Sequence, residues 1–349
     1  MSVAHPTLED VAAHAGVSRA TASRVVNGVG RVSPSTRQAV EVAVDALGYV
    51  PNQAARSLAG HRTDTVALVV CEPSGQLFAD PYFGQVVRGV ATALTGTRYL
   101  LSLLMAQGEA ERARVDRHLV RGNADGVLLV STRSDDPLPA RLAEAGVPCV
   151  MAGRPAPGVR VGYVDADNEG GARLAVGYLL ARGCRVIGTV AGPAGMAAGA
   201  DRLAGWRAAL ADAGLAAPDE LSATAPFTRD GAERATTELL ARRPDIDGLF
   251  VASDLMALGA LAVLRRAGRP VPEDVALVGF DDGELAAAAD PPLTTVRQPV
   301  EGLGLELVRA LMAQLAAAGG GEGGGRGVAL PPAPAAVVLR TELVVRASA

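Results

Sequence analysis

Apolar positions near the N-terminus recur three and four residues apart, the spacing that gives a short helix one buried face. Thr7 to Ala15 reads as one such helix, opened by a Thr cap, and Gly16-Val17 supplies a tight connection to the next. From Ser18 to Asn27, Ala22, Val25 and Val26 form a narrow apolar stripe, while Arg19, Ala20, Ser23, Arg24 and Asn27 stay outside it. Ser18 is placed to cap that helix and Asn27-Gly28 to end it. Ser33-Pro34 sets a third start, with Pro at the first helical position. Val40, Ala43, Val44 and Leu47 are its buried stripe, and Gly48 closes it. Tyr49-Val50-Pro51 stops the pattern. Asn52 then caps a run from Gln53 to Ala59 of about eight residues, shorter than the ~12–15 an isolated helix needs in water. That run is expected to order only when something pairs with it.

From Thr65 the texture changes to alternating strands and helices. Val66-Ala67-Leu68-Val69-Val70-Cys71 is an unbroken apolar run of buried-strand type. It is followed by helical spacing around Phe83 to Leu94, a strand at Tyr99 to Met105 and a helix at Glu109 to Arg121. Strand Gly126 to Val130, helix Leu138 to Ala145 and strand Val147 to Ala152 continue the cycle. A second set comprises helices from Glu169, Asp201, Arg229 and Leu255, with strands at Val186 to Val190, Leu249 to Val251 and Val275 to Val278. Such alternation implies βαβ units, parallel sheets covered on both faces and two α/β lobes. Pro291 to Val296 reads as an extended crossing segment. Glu301 to Ala318 is an amphipathic helix with Leu303, Leu307, Leu311 and Leu315 four apart. A flexible glycine tract from Gly319 to Gly327 follows, then strand candidates at Ala335 to Leu339 and Leu343 to Val345.

With 349 residues, 49% of them hydrophobic, the chain has ample material for two or three domains. All 33 basic residues are Arg, so a single Arg carries less weight here than usual. The net charge of −4 is unevenly spread. Residues 1–62 hold Arg19, Arg24, Arg31, Arg37, Arg56 and Arg62 against Glu9, Asp10, Glu41 and Asp45, and the remainder is acidic. A mildly basic head on an acidic body fits a head that touches phosphate and a body that does not. Cys71, Cys149 and Cys184 lie far apart with no CxxC spacing, and are read as buried free thiols rather than metal ligands or disulfides. No apolar stretch is long enough to span a bilayer, and Met1 to Glu9 lacks the order of a signal peptide. No membrane partner is expected, and the expected compartment is the cytoplasm.

Enzyme readings find little support. Gly28-Val29-Gly30 lies between helices with no preceding strand and lacks the third glycine of a dinucleotide fingerprint. There is no GxSxG elbow and no phosphate-binding loop. His5, His14 and His61 sit in or near the head and His118 on a surface helix, so no metal set and no cofactor is expected.

Two short helices joined by a Gly-containing turn, the second one cationic, make a helix-turn-helix. The wording of these segments goes further. Thr7-Leu8-Glu9-Asp10-Val11-Ala12, Gly16-Val17-Ser18, Thr21-Ala22-Ser23-Arg24-Val25-Val26-Asn27 and Gly48-Tyr49-Val50-Pro51-Asn52 resemble the headpiece and hinge of the lactose/galactose repressor family. Asp167-Asn168-Glu169-Gly170-Gly171, Arg202-Leu203-Ala204-Gly205-Trp206, Ala252-Ser253-Asp254, Val278-Gly279-Phe280-Asp281-Asp282 and Pro292-Leu293-Thr294-Thr295-Val296 follow in that family's order. The resemblance covers nearly the whole chain.

It implies an all-α three-helix headpiece over residues 1–50, a hinge helix and linker over 51–63, and a two-lobed periplasmic-binding-protein-like α/β core with parallel sheets over 64–349. The lobes are expected at about 64–163 with 295–322, and about 164–292 with 327–346. It also implies a homodimer on a near-palindromic double-stranded DNA operator. Arg19, Ala20 and Arg24 take the family's base-reading positions, and Ser18, Thr21, Ser23 and Asn27 its phosphate or flanking contacts. From the hinge, Asn52, Ala55 and Leu58 join the DNA-binding set, Leu58 as the minor-groove wedge. In the core, Arg202, Ser253, Asp254 and Asp281 would ring a cleft with hydroxyl-pairing groups, and Phe83 and Phe227 would give flat apolar faces, a set suited to a sugar or related polyol effector. Arg202 and Asp281 have the alternative of an interlobe ion pair, and the two phenylalanines that of plain core residues. A periplasmic solute-binding protein is the competing reading of the core, though it would not carry Ser18 to Asn27.

Overall fold

The computed structural model describes residues 6–26, 31–49, 63–319 and 335–349. Asn27, the hinge residues Asn52, Ala55 and Leu58, and the glycine tract beyond Gly319 lie outside these. The chain divides into two compact units, Met1–Thr63 and Asp64–Ala349.

Among the described residues the first unit holds three helices, α1 (Leu8–His14), α2 (Arg19–Val26) and α3 (Pro34–Leu47). Each start is a capping event. Thr7 and Asp10 form a reciprocal capping box on α1, Ser18 Oγ accepts from the Thr21 amide at 3.2 Å at the start of α2, and Ser33 accepts from the Thr36 amide ahead of Pro34. Gly48 ends α3 at φ +61°, a left-handed geometry that favours glycine. Val11, Ala12, Ala22, Val25, Val40 and Ala43 bury one small core, which fixes the face of α2 that remains outside.

Among the described residues the second unit has two six-stranded sheets. The first runs in spatial order β11 (Ala336–Leu339), β5 (Gly162–Ala166), β4 (Cys149–Ala152), β3 (Gly126–Val130), β1 (Thr65–Val70), β2 (Leu100–Met105), all parallel. Its two faces are covered by different helices, because successive side chains of a strand point to opposite sides. Val66, Leu68 and Val70 pack with α5 (Pro81–Leu94) and α13 (Val300–Gly319). Ala67, Val69 and Cys71 pack with α6 (Glu109–Val120) and α7 (Leu138–Glu144). Helices α5 and α13 approach through glycines: a Cβ on Gly89 would stand 2.1 Å from the Glu301 carbonyl oxygen, and one on Gly304 2.6 Å from that of Val86. A short helix, α4 (Ser74–Ala79), precedes α5 and was not foreseen from the sequence, being six residues long.

The second sheet runs β12 (Glu342–Val344), β10 (Thr294–Arg297), β9 (Ala276–Asp281), β8 (Gly248–Val251), β6 (Ile187–Ala191), β7 (Ser222–Thr224), parallel except where β12 runs antiparallel to β10. Helices α8 (Asn168–Ala181), α9 (Ala197–Asp212), α10 (Arg229–Arg242) and α11 (Asp254–Arg266) pack on it, and α12 (Glu284–Ala288) is one short turn beyond β9. Trp206, Phe250 and Phe280 are fully buried in this lobe.

The sheets draw the lobe boundary differently from the expected residue ranges. β5 stays with the first sheet to Ala166, and Thr294–Arg297 belongs to the second sheet rather than the first lobe. Ala336–Leu339 returns to the first sheet, parallel to β5 in the register Ala336↔Tyr163, so 327–346 is split between the lobes. Its Ala-Val-Val-Leu run supplies an edge strand there, and the chain crosses back at Arg340-Thr341. The three cysteines are buried free thiols.

Candidate functional site

In the headpiece, the residues expected to read DNA lie together on α2 and its cap. Ser18, Arg19, Ala20 and Arg24 are exposed, and Thr21 and Ser23 half-buried at the edge of the apolar face. Arg19 Nε lies 2.6 Å from Glu9 Oε1 of α1, with both side chains more than half exposed. The helix therefore presents a polar, cationic outer face set by buried Ala22 and Val25 beneath it.

The second site is a cleft between the lobes, with a cavity of about 760 Å³ including its mouth. Part of its lining comes from the carboxyl ends of parallel strands, where an open α/β sheet leaves its crevice. Ser131 and Thr132 follow β3, Arg154 follows β4, Asp165 lies near the end of β5 and Asn168 opens α8 just beyond it, Ser253 follows β8, Asp281 ends β9 and Gln298 follows β10.

Arg202, on α9, is the centre of the arrangement. It is 4% exposed, its Nε donates to Asn168 Oδ1 at 2.9 Å, and its Nη1 donates to the Ala252 carbonyl at 2.5 Å and lies 3.5 Å from Asp281 Oδ1. The guanidinium stacks on Phe280, 3.7 Å from the ring centroid, with Phe227 at 5.8 Å on another side. Asn168 is itself oriented by donating Nδ2 to Asp165 Oδ1 at 2.9 Å, and Gln298 Nε2 donates to Asp281 Oδ1 at 2.6 Å. Asp281 sits at φ +114°, a region that favours glycine and carries strain for any other residue. The next residue, Asp282, is bound to Arg297 and Arg346 at 2.6 Å each.

The cleft carries a buried acidic set. Burial pushes the Asp281 carboxyl up to about 7, the Arg202 charge pulls it back down and Asp80 adds to the rise. Burial likewise raises Asp80 and Asp165, with backbone hydrogen bonds from Tyr82 and Ala166 opposing it. Among the described residues no group of three metal-ligating side chains is found.

Of the six core residues expected at the site, five line the cleft: Phe83, Arg202, Phe227, Ser253 and Asp281. Phe83 also belongs to the first-lobe core, so its cleft and core readings both hold. Arg202 and Asp281 do pair, but within one lobe, which removes the interlobe alternative. Asp254 is not among the lining residues. It stands at the first position of α11 with its carboxylate accepting from Thr295 Oγ1 at 2.6 Å and the Gly283 amide at 3.1 Å, so it fastens the strand ends behind the cleft. Ser253 caps the same helix through the Met256 amide. The expectations missed Asp80, Arg154, Asp165, Asn168 and Gln298; position at a strand's carboxyl end was the signal available for the last four.

A helix-turn-helix headpiece joined to a two-lobed periplasmic-binding-protein-like core defines a class of regulator. Comparison with known proteins narrows it. Residues 7–52 match the model of bacterial regulatory proteins of the lacI family, and residues 176–349 that of a periplasmic binding protein-like domain. The chain is 49% identical over 345 residues to the HTH-type transcriptional regulator CelR of Thermobifida fusca, covering 98% of each chain. It is 34% identical over 313 residues to the HTH-type transcriptional repressor CytR of Escherichia coli, covering 88% of this chain and 89% of that one. Among solved structures, a CelR–cellobiose complex superposes with a TM-score of 0.77 at 47% identity, covering 99% of this chain and all of that one. The lac repressor dimer bound to operator and the anti-inducer ONPF superposes at 0.81 and 28% identity over 99% of both. The chain belongs to the lacI family and is a DNA-binding transcriptional regulator.

Proposed function

We propose that this protein is a repressor whose operator affinity is set by a neutral sugar bound between the core lobes, a β-linked glucose disaccharide such as cellobiose in the first instance. The observation that carries the reading is the Arg202 guanidinium, held over Phe280 in a cleft that Asp80, Asp165 and Asp281 also line. Carboxylates accept hydroxyl protons, a guanidinium donates to ring and hydroxyl oxygens, and aromatic faces cover the apolar faces of a sugar. The CelR–cellobiose complex supports the class of ligand.

The headpiece of each protomer of a homodimer, acting in the cytoplasm, reads one half of a near-palindromic operator. Arg19, Ala20 and Arg24 face base edges, and Ser18, Thr21, Ser23 and Asn27 the backbone; a guanidinium bridging guanine O6 and N7 adds roughly 1–3 kcal/mol of discrimination. Asn52, Ala55 and the Leu58 wedge act in the minor groove. The sugar acts by binding one lobe arrangement more tightly than another, the one way a ligand shifts a conformational equilibrium.

The test is fluorescence anisotropy of the full chain on genomic fragments, with and without cellobiose. A near-palindromic site whose affinity falls steeply with salt and changes about tenfold with cellobiose is the expected result. A specific operator with no response to cellobiose, together with no thermal shift across a panel of neutral sugars, would remove the sugar and keep the regulator.

A further inference from the structure

Apart from the strand crossings, the lobes meet around the rim of the cleft. Gln76 Nε2 donates to the Phe227 carbonyl at 3.3 Å, and the Ser134 amide donates to the Gly195 carbonyl at 2.7 Å. An ion pair also joins the two lobes. Arg154, two residues beyond β4 in the first lobe, places Nη2 2.5 and 2.6 Å from the two carboxylate oxygens of Asp201 on α9 of the second lobe. Arg154 lines the cleft, whereas Asp201 does not.

We propose that the Arg154–Asp201 pair is a clasp across the cleft mouth, which holds the lobes together and couples their closure to ionic strength. This deepens the effector reading and rests on it. Asp201 is well placed to be the fixed half. It precedes Arg202 on α9, the residue fastened to Asn168, Ala252 and Phe280, and its side chain is 14% exposed. Arg154 is the movable half, 50% exposed on a loop. In an opened cleft Arg154 keeps its own lobe's Asp165 and Tyr163 nearby, so the opening cost falls on Asp201, left without its cation. A ligand that needs both walls binds in proportion to the closed fraction. A half-exposed pair is screened by salt. A neutral sugar, which has no charge of its own to be screened, should therefore bind more weakly as salt rises.

Asp201→Asn, Arg154→Gln and the reversed pair Arg154→Asp/Asp201→Arg, each in the full chain, decide the matter by calorimetry with cellobiose and by amide hydrogen exchange. Wild-type affinity is expected to fall about threefold to tenfold between low and high NaCl. Asp201→Asn should bind at the weaker level at all salt concentrations, and the reversed pair should regain both affinity and salt dependence. Exchange at Ser134, whose amide bonds across the same rim, should quicken in both single variants and recover in the reversed pair. Salt-independent wild-type affinity, or Ser134 exchange unchanged in Asp201→Asn, overturns the clasp. If the wild type does not bind cellobiose at all, the sugar reading fails while Ser134 exchange still judges the clasp.

Discussion

The two sites of this chain use the same residue, arginine, in opposite settings. In the headpiece Arg19 and Arg24 stand in water on a helix face, and Arg19 shares a salt-exposed pair with Glu9. In the cleft Arg202 is buried and its planar group is held by Asn168 through Nε, by a backbone carbonyl through Nη1 and by an aromatic face. The difference is one of exchangeability. An exposed arginine trades partners at little cost, as a protein that slides along DNA before finding its site requires. A buried one is oriented in advance and loses little freedom when a ligand arrives.

Replacing Arg202 should therefore have the largest effect. Arg202→Ala leaves Asn168 Oδ1 without its donor and Asp281, which keeps Gln298, without its cation in a buried setting, at a cost of about 3 kcal/mol in core stability. Cellobiose binding should fall more than about a hundredfold, read by calorimetry and thermal shift. Arg202→Lys keeps the charge and loses the flat fork, so it should stay close to the Ala variant. Full retention of binding in Arg202→Lys would mean that charge alone holds the ligand.

Next in size is Arg24→Ala. Loss of a bidentate guanine contact should weaken operator binding about tenfold to a hundredfold while leaving cellobiose binding and core melting unchanged. Anisotropy against the operator and against a single-base variant measures it. Equal loss on both sequences would make Arg24 a phosphate contact instead of a base reader.

The contrast also explains what the sequence made legible. The headpiece site is written in consecutive residues, because cap, stripe and outer face of one helix are all local: Ser18, Ala22, Val25 and Arg24 can be sorted without knowing any distant contact. The alternation from Val66 onward likewise fixed two parallel-sheet lobes, since the strands are apolar on both sides. The cleft is written across residues 76 to 303, and its members meet only through topology. Arg202 and Asp281 stood out through family wording. Asp80, Arg154 and Gln298 are ordinary polar residues in loops until the strand ends are brought together. Asp254 was misplaced for the same reason: one residue along from Ser253, the start of α11 turns the side chain toward Thr295 and away from the cavity.

A smaller effect probes the buried side of the comparison through pH. Asp281 has its folded value raised to about 7 from the ordinary 3.8. Folding thus favours the protonated acid, and the stability it contributes is present below about 4 and lost as pH rises through about 7. The melting temperature of Asp281→Asn should decline less than that of wild type over that window. A sugar hydroxyl donating to this carboxyl favours the ionised form, so binding should release a proton and tighten as pH rises through 7. Calorimetry in two buffers of different ionisation heat counts that proton. A released count of zero near neutral pH would take Asp281 out of the contact set.

The smallest effect is expected where the exposed arginine already has a partner. Arg19 must leave Glu9 to face a base edge, and the pair is more than half solvated on both sides. Glu9→Gln removes the competing carboxylate and one negative charge from the side of the headpiece that bears α2, and it leaves the Thr7–Asp10 capping box of α1 untouched. Operator affinity should rise about twofold to threefold at low salt, and the gain should vanish at high salt, because what is removed is a screened, exposed attraction. A loss of affinity would carry the opposite lesson, that Glu9 aims Arg19 rather than restraining it. In that case the headpiece would share with Arg202 the habit of fixing its arginine before the partner arrives.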